Sequence, residues 1–277
     1  MSAPPTLREI FAGATWKVRA RLVVDLATPW GVHWLRDTAR KRRAIGRIEA
    51  GRRTQALAPD RRYEEAVAFL LDRGLDEREV REGSMPQASL EYVAGILGER
   101  LRTDRPLAAL HVGNFVGVSL CWLSWYLRDL NADSVVVSVD PNVSHRGIDA
   151  PQQLVLALLH HFGLLDSNLI VPGWTLEGDA LEGLACENAL TSLGRVAPRR
   201  FDLVLLDGNH EEEHLERELT AVRGLLADDG VVVFDDVDER TFAGIVRVFE
   251  RALADESFAG LGQNGRVGLL QLTGKAL

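Results

Sequence analysis

The stretch FDLVLLDGNHEEEH, residues 201–214, is an apolar run that stops abruptly at charged and polar residues. Five of its first six residues are apolar or aromatic, which is typical of a strand buried on both faces. Asp207, Gly208, Asn209 and His210 follow directly, and three glutamates come after them. Two interpretations stay open: a strand that ends in a solvated turn, or a strand that delivers Asp207 and His210 to an active site.

Similar short apolar runs recur along the chain, with helical patterns between them. The sequence predicts strands at 107–112, 134–139, 168–172, 201–206, 231–234 and 266–272. It predicts helices at 117–130, 151–163, 179–193, 211–227 and 241–254. Strands that alternate with helices imply a parallel sheet with right-handed crossovers. The predicted fold is therefore α/β, with a Rossmann-like, doubly wound and mostly parallel sheet.

The residues that end these strands are the first candidates for a site, because open α/β sheets bind ligands beyond the carboxyl ends of their strands. Those residues are Gly113, Asp140, Asp207 and the pair Asp235 and Asp236. A single acid at a strand end is common. Four strand ends that meet at glycine or carboxylate indicate a binding site.

The segment HVGNFVGVSL, residues 111–120, joins the first of these strands to a helix. Gly113 and Gly117 permit a tight turn and a close approach by a ligand, and the helix N-terminus offers free N–H groups to an anion. The spacing is not the GxGxxG dinucleotide fingerprint, which argues against an NAD enzyme. Asp140 ends the next strand, where a carboxylate accepts hydrogen bonds from a ribose diol or, alternatively, caps a turn.

The composition is that of an ordinary soluble protein, with 46% hydrophobic and 26% charged residues. Two cysteines are too few for a disulfide framework or a zinc spacing, so we expect a reducing, cytoplasmic setting. No apolar run reaches the roughly 18 residues of a transmembrane helix, and no secretion signal is evident. The charge is uneven: residues 1–62 carry 14 Lys and Arg but 5 Asp and Glu, although the whole chain has a net charge of −8.

This asymmetry predicts a basic helical extension or lid over residues 1–84, followed by the main domain over residues 85–277. Tryptophans among arginines, and the run RKRR at 40–43, leave several roles open. The extension would pack on the main domain or on a second subunit. Alternatively it would contact a membrane surface or an anionic partner, which makes a membrane-peripheral location the alternative. Nucleic-acid binding is not expected, because nothing else in the sequence supports it.

The joint pattern resembles the class I S-adenosylmethionine-dependent methyltransferases. It consists of Gly113, Gly117 and Ser119 as Gly-x-x-x-Gly-x-Ser, Asp140 after the second strand, and Asp207 after the fourth. Within that class, DGNH after the fourth strand and FDDV after the fifth are most similar to metal-dependent O-methyltransferases of the catechol and caffeoyl-CoA type, and to bacterial relatives that modify sugars and antibiotics. The resemblance covers roughly residues 85–273.

The resemblance implies a role for each strand-end residue. The S-adenosylmethionine site would comprise His111, Gly113, Asn114, Gly117, Ser119, Asp140, Trp174 and Asp207. The glycines and Ser119 would line the methionine end, Asp140 would bind the ribose, and Trp174 would stack on the adenine. The segment GDA at 178–180 is a competing candidate for the adenine end.

The resemblance further implies that Asp207, Asp235 and Asp236 hold a divalent cation, with Mg²⁺ as the expected ion. Three carboxylates at adjacent strand ends repel one another without a cation, and oxygen ligands suit a hard ion. His210, three residues beyond Asp207, would be the base for the acceptor hydroxyl or an additional metal ligand. Asp207 and His210 are thus the predicted catalytic residues.

Three positions depart from the catechol-type pattern. His111 and His210 stand where Glu and Lys are common, and Asp236 stands where Asn is common. The predicted function is nevertheless O-methyl transfer to a hydroxyl of a small molecule, sugar or natural product, and the resemblance also implies a homodimer. Two alternatives stay open: a non-catalytic S-adenosylmethionine-binding accessory protein, and a nucleotide-cofactor enzyme of another reaction type.

Overall fold

A computed structural model describes most of the chain from residue 61 onward, and these residues belong to one compact unit. The described ranges are 61–101, 103–176, 188–197, 200–238 and 242–273. The predictions made for the basic extension, and the adenine candidate at 178–180, lie outside these ranges.

Seven strands form one sheet at the centre of this unit. They are β1 (Ala108–Val112), β2 (Val135–Asp140), β3 (Asn168–Pro172), β4 (Phe201–Leu206), β5 (Leu226–Phe234), β6 (Phe258–Asn264) and β7 (Val267–Leu272). Their order across the sheet is β3–β2–β1–β4–β5–β7–β6. The first five run parallel, whereas β7 is antiparallel to both β5 and β6. The predicted mostly parallel sheet is confirmed.

Helices cover both faces of the sheet, so the predicted doubly wound arrangement is confirmed as well. They are α1 (Arg62–Leu71), α2 (Glu77–Glu82), α3 (Gln87–Arg100), α4 (Val118–Leu130), α5 (Pro151–His161), α6 (Ala189–Val196), α7 (Glu212–Arg223) and α8 (Ala243–Ala254). Because successive side chains of a strand point to opposite faces, Ala109 joins the core beneath α1 and α3–α5, and Leu110 joins the core beneath α6–α8.

Helices α1 and α2 share the core of the main domain. Leu70 and Val80 are fully buried in the same apolar cluster as the inward residues of β1. The compact unit therefore begins upstream of the predicted boundary at residue 85. Of the helix predicted at 179–193, only the part from Ala189 onward falls in the described residues. No helix in the described ranges is long and apolar enough to cross a membrane.

Strand β6 was not predicted, because its sequence FAGLGQN carries two glycines and no apolar alternation. It pairs with β7 as a hairpin, and Asn264 lies opposite Val267. The two residues between them, Gly265 and Arg266, form the turn, and Gly265 takes the positive φ of +51° that such turns favour at this position. The Arg266 carbonyl accepts a hydrogen bond of 2.8 Å from the N–H of Val237. The hairpin thereby brings Arg266 beside the carboxyl end of β5.

Candidate active site

A cavity of about 560 Å³ opens at the carboxyl ends of the parallel strands. Its walls come from the segments that follow β1, β2, β3, β4 and β5, around the point where the strand order reverses between β1 and β4. This is where open α/β sheets bind their ligands, and the volume lies in the range of small-molecule sites. The predicted residues that line it are Gly113, Asp140, Trp174, Asp207, His210 and Asp236.

The turn after β1 depends on Gly113. Its φ is +86°, and a Cβ at this position would lie 1.9 Å from the carbonyl oxygen of Asp207. The backbones after β1 and β4 therefore touch, which only glycine permits. Gly117 also has a positive φ, +90°, where it precedes the first turn of α4. The two predicted glycines thus shape the turn that forms one wall of the cavity.

The carboxylate of Asp140 holds this turn in place from the neighbouring strand. Its Oδ2 accepts a very short hydrogen bond from the N–H of Asn114 and one of 3.3 Å from that of Phe115. Its Oδ1 accepts a hydrogen bond of 2.5 Å from the N–H of Asn142. Asp140 lines the cavity, and at the same time it accepts hydrogen bonds from three backbone donors of the chain itself.

Three of the residues predicted at the cofactor lie behind the turn instead of on the cavity wall. His111 is fully buried, neither of its ring nitrogens has a partner among the described residues, and burial lowers its pKa to about 4. The Asn114 side chain accepts a very short hydrogen bond from the hydroxyl of Ser138. The Ser119 hydroxyl accepts one of 3.1 Å from the N–H of Met85. These side chains support the turn from within the core.

The three predicted metal carboxylates lie together, and a guanidinium lies among them. Arg266 donates from Nε and Nη2 to the two oxygens of Asp235, at 2.9 and 2.7 Å, and its Nε lies 3.1 Å from Oδ1 of Asp236. Burial raises the pKa of Asp207 well above its usual value, and the nearby charge of Asp235 raises it further. Sequence reasoning anticipated the repulsion but missed Arg266, because a turn 31 residues along the chain supplies it.

His210 lies beside this cluster in a defined orientation. Its Nε2 is 3.1 Å from Oδ2 of Asp236, and its ring stacks on Phe242 with centroids 4.2 Å apart. Asp207, His210 and Asp236 each offer a ligand atom within 4.8 Å of the others, so these three could hold a metal ion. Asp235, which was also predicted as a ligand, is not in this group and accepts hydrogen bonds from Arg266. The predicted set and the observed group therefore differ at one residue.

The lining of the same cavity includes Trp174 and a buried polar cluster that sequence reasoning missed. The Thr175 hydroxyl donates a very short hydrogen bond to Oε1 of Glu218, and His214 Nε2 lies 3.0 Å from the same oxygen. The side chains of His214 and Glu218 are 6% and 2% exposed. Their spacing of four residues on α7 was the available signal, since it places two polar groups on one helix face.

These residues fall in a segment with a recognised sequence signature. Residues 110–237 match the sequence model of a family described as a methyltransferase domain. The match covers slightly less than half of the 277-residue chain, but it runs from β1 to just beyond β5 and includes every predicted site residue from His111 to Asp236. The recognition of a class I methyltransferase is confirmed.

Solved structures of methyltransferases share the fold. The Podospora anserina methyltransferase PaMTH1 bound to SAH has 14% identity and a TM-score of 0.54, over 76% of this chain and 87% of that chain. A Geobacter sulfurreducens methyltransferase has 14% identity and a TM-score of 0.51, over 75% and 89%. The O-methyltransferase NovP has 14% identity and a TM-score of 0.50, over 68% and 81%. At such identity these similarities establish the fold alone, and comparison with curated proteins gives no match.

Proposed function

We propose that this methyltransferase domain uses S-adenosylmethionine to methylate a hydroxyl group of a small molecule, sugar or natural product, with His210 as the base. The observation that carries the proposal is the His210–Asp236 pair, 3.1 Å apart, at the edge of the cavity that Gly113 and Asp140 line. The fold relative NovP is described as an O-methyltransferase, which agrees with an oxygen acceptor.

The cavity residues fit the cofactor. The methionine end would lie against the turn at Gly113, where no side chain intervenes. Asp140 would receive the ribose, because a carboxylate offers about four acceptor positions and backbone N–H groups fill three of them here, two on Oδ2 and one on Oδ1. Trp174 would cover the adenine. When bound, S-adenosylmethionine would supply a methyl group activated by the sulfonium: the acceptor oxygen bonds to the methyl carbon as its bond to sulfur breaks, and S-adenosylhomocysteine is the by-product.

His210 would take the proton that the acceptor hydroxyl loses. Asp236 faces Nε2, so the Nε2–H tautomer leaves Nδ1 as the proton acceptor, and the Asp236 carboxylate stabilises the imidazolium that forms. Stacking on Phe242 fixes the plane of the ring. With a side chain that is 40% exposed, His210 can return the proton to solvent after each turnover.

A divalent cation also fits the site. Asp207, His210 and Asp236 would hold it, and in that case His210 is a ligand instead of the base. Two carboxylates and one imidazole suit Mn²⁺ at least as well as Mg²⁺, because nitrogen donors favour the softer ion. A bound cation would lower the pKa of the acceptor hydroxyl and fix its direction.

Binding and turnover test the proposal separately. Calorimetry on the full chain should detect S-adenosylhomocysteine, and a screen of hydroxylated acceptors with isotopically labelled S-adenosylmethionine should detect methylated product. The variant His210→Asn should keep cofactor binding and lose activity roughly 10²- to 10⁴-fold. His160→Gln, at an exposed position on α5, is the control. Absence of cofactor binding, or full activity in His210→Asn, would refute the proposal.

The role of a metal is tested with the same assay. If Asp207, His210 and Asp236 hold a required ion, EDTA should abolish turnover and Mn²⁺ or Mg²⁺ should restore it. Calorimetry with Mn²⁺ should then show one site that is lost in Asp207→Ala. Undiminished activity in EDTA would leave His210 as the base and exclude an essential cation.

A further inference from the structure

The cluster of Thr175, His214 and Glu218 has a built-in asymmetry. Both contacts that Glu218 makes within the cluster use the same carboxylate oxygen: the Thr175 hydroxyl donates to Oε1 of Glu218, and His214 Nε2 lies 3.0 Å from it. His214 Nε2 is also 3.3 Å from the Thr175 hydroxyl oxygen. The three side chains therefore fix the rotation of the Glu218 carboxylate.

The other oxygen of that carboxylate, Oε2, is buried and has no hydrogen-bond partner among the described residues. Glu218 is 1% exposed, and it belongs to the wall of the cavity together with Trp174. A buried carboxylate oxygen without a donor is costly, so a ligand that donates to Oε2 would gain a favourable hydrogen bond there. A ligand that places an N–H or O–H group beside Oε2 of Glu218 would therefore fit this part of the cavity.

Trp174 restricts the shape of that ligand. It precedes Thr175 in the chain, lines the same cavity and carries a flat, largely apolar ring. A flat heterocycle with a donor on its edge can stack on such a ring and reach an acceptor beside it. The cluster offers an accepting oxygen at this point, so a ring with a carbonyl there would meet another acceptor and be repelled.

We propose that Oε2 of Glu218, held in position by Thr175 and His214, accepts a hydrogen bond from the exocyclic amine of the adenine ring. This rests on the proposed use of S-adenosylmethionine and assigns selectivity for a 6-aminopurine to residues of α7 and of the segment after β3. Glu218 is a binding residue in this assignment, whereas Thr175 and His214 are positioning residues.

The test compares two nucleosides that differ at one position. Calorimetry on the full chain measures S-adenosylhomocysteine against S-inosylhomocysteine, in which a carbonyl replaces the amine. The parent protein should prefer the adenosyl compound by roughly 10- to 100-fold, since a hydrogen bond to a charged group is lost and two acceptors are opposed. The variant Thr175→Val should narrow this preference, because the carboxylate loses one of its two anchors.

The variant Glu218→Gln should gain affinity for one of the two nucleosides, and a misfolded protein would not show such a gain. The glutamine amide can donate to the inosyl carbonyl, so affinity for S-inosylhomocysteine should rise while affinity for S-adenosylhomocysteine falls. Glu216→Gln, at an exposed position on the same helix, should leave both affinities unchanged. Equal binding of the two nucleosides by the parent, or unchanged selectivity in Glu218→Gln, would overturn this inference alone. A parent that binds neither nucleoside would overturn the proposed function with it.

Discussion

Asp140 and Asp207 occupy similar places in the sheet but meet opposite surroundings. Each comes at the end of a parallel strand and lines the same cavity. Asp140 accepts hydrogen bonds from three backbone N–H groups. The pKa of Asp207 is raised by burial and by the charge of Asp235, and the charge of Arg266 opposes the increase. The donors around a strand-end carboxylate, and not its position in the sheet, therefore decide whether the chain itself satisfies its oxygens or leaves its charge costly to bury.

The strongest test of this difference removes the guanidinium. Arg266→Gln leaves Asp235, whose side chain is 1% exposed, without its bidentate partner. Breaking such a pair should lower the free energy of unfolding by about 3–5 kcal/mol, measured by urea denaturation. The control is Arg247→Gln, which removes an arginine from an exposed pair with Glu212 and should change the free energy of unfolding far less than Arg266→Gln does.

The same variant should show a distinct pH dependence. The folded-state pKa values of Asp207 and Asp235 lie above their unfolded values, so the folded state binds protons that the unfolded state has released. Stability from these groups is present at low pH and is lost as the pH rises through the raised values. Without Arg266 those values rise further, and the loss in Arg266→Gln should be smaller at about pH 5 than at about pH 8. A loss independent of pH would contradict the account of Asp207.

Gly113→Ala tests the contact that brings the two strand ends together. The added Cβ would meet the Asp207 carbonyl at 1.9 Å and would also adopt an unfavourable φ of +86°. The cost should be about 3 kcal/mol in the free energy of unfolding. Gly74→Ala is a matched control, because Gly74 has a φ of +83° with nothing within 4 Å of the added Cβ, and it should cost about 1 kcal/mol. Equal costs would mean that the close approach is not required.

His111 should change the free energy of unfolding by a similar amount, but only at acidic pH. Its folded-state pKa is about 4 against an ordinary value of 6.5, so the unfolded state takes up the proton first. The stability present above pH 6.5 should fall by about 3 kcal/mol as the pH drops toward 4. In His111→Leu this part of the pH dependence should disappear from urea denaturation curves, whereas His160→Gln should retain it. A parent-like slope in His111→Leu would show that other groups cause the acid sensitivity.

The smallest effect is expected at Asp140. Asp140→Asn keeps one acceptor oxygen but loses the charge that three N–H groups face, and it should cost about 2 kcal/mol in thermal or urea unfolding. Asp133→Asn, at an exposed position before β2, is the control. If Asp140→Asn destabilised the protein as much as Arg266→Gln does, Asp140 would not differ from Asp235 in the way proposed. Asp140 would then gain no special stability from its backbone donors.

The sequence was sufficient to predict which strand-end residues lie close together. The apolar runs that became β1, β2, β4 and β5 stop at polar residues, and parallel topology brings those ends to one edge of the sheet. That reasoning placed Gly113, Asp140, Asp207 and Asp236 around one cavity. It needs only local pattern and the rule that βαβ units make parallel strands.

The sequence pattern alone could not predict which charged and polar side chains pair with each other. Arg266 reaches Asp235 from a hairpin turn, and half of that hairpin, β6, has no strand-like pattern. Glu218 meets Thr175 across 43 residues, and in the sequence it reads as an ordinary charged position of a helix. The family resemblance implies that Ser119 lies at the cofactor, whereas its hydroxyl accepts a hydrogen bond from the N–H of Met85. Each of these contacts joins distant segments, and hydrophobic periodicity carries no information about them.

The position of Arg266 also bears on how the chain is made. Domains fold as their segments leave the ribosome, N-terminal parts first. Strand β4, which is followed by Asp207, and strand β5, which is followed by Asp235 and Asp236, emerge well before the hairpin of β6 and β7 is complete. Until residue 266 emerges, these acids have no guanidinium beside them. The turn of this late hairpin thus supplies the positive charge beside the acids at the ends of β4 and β5, and a nascent chain released before residue 266 would leave the acidic cluster without that counter-ion.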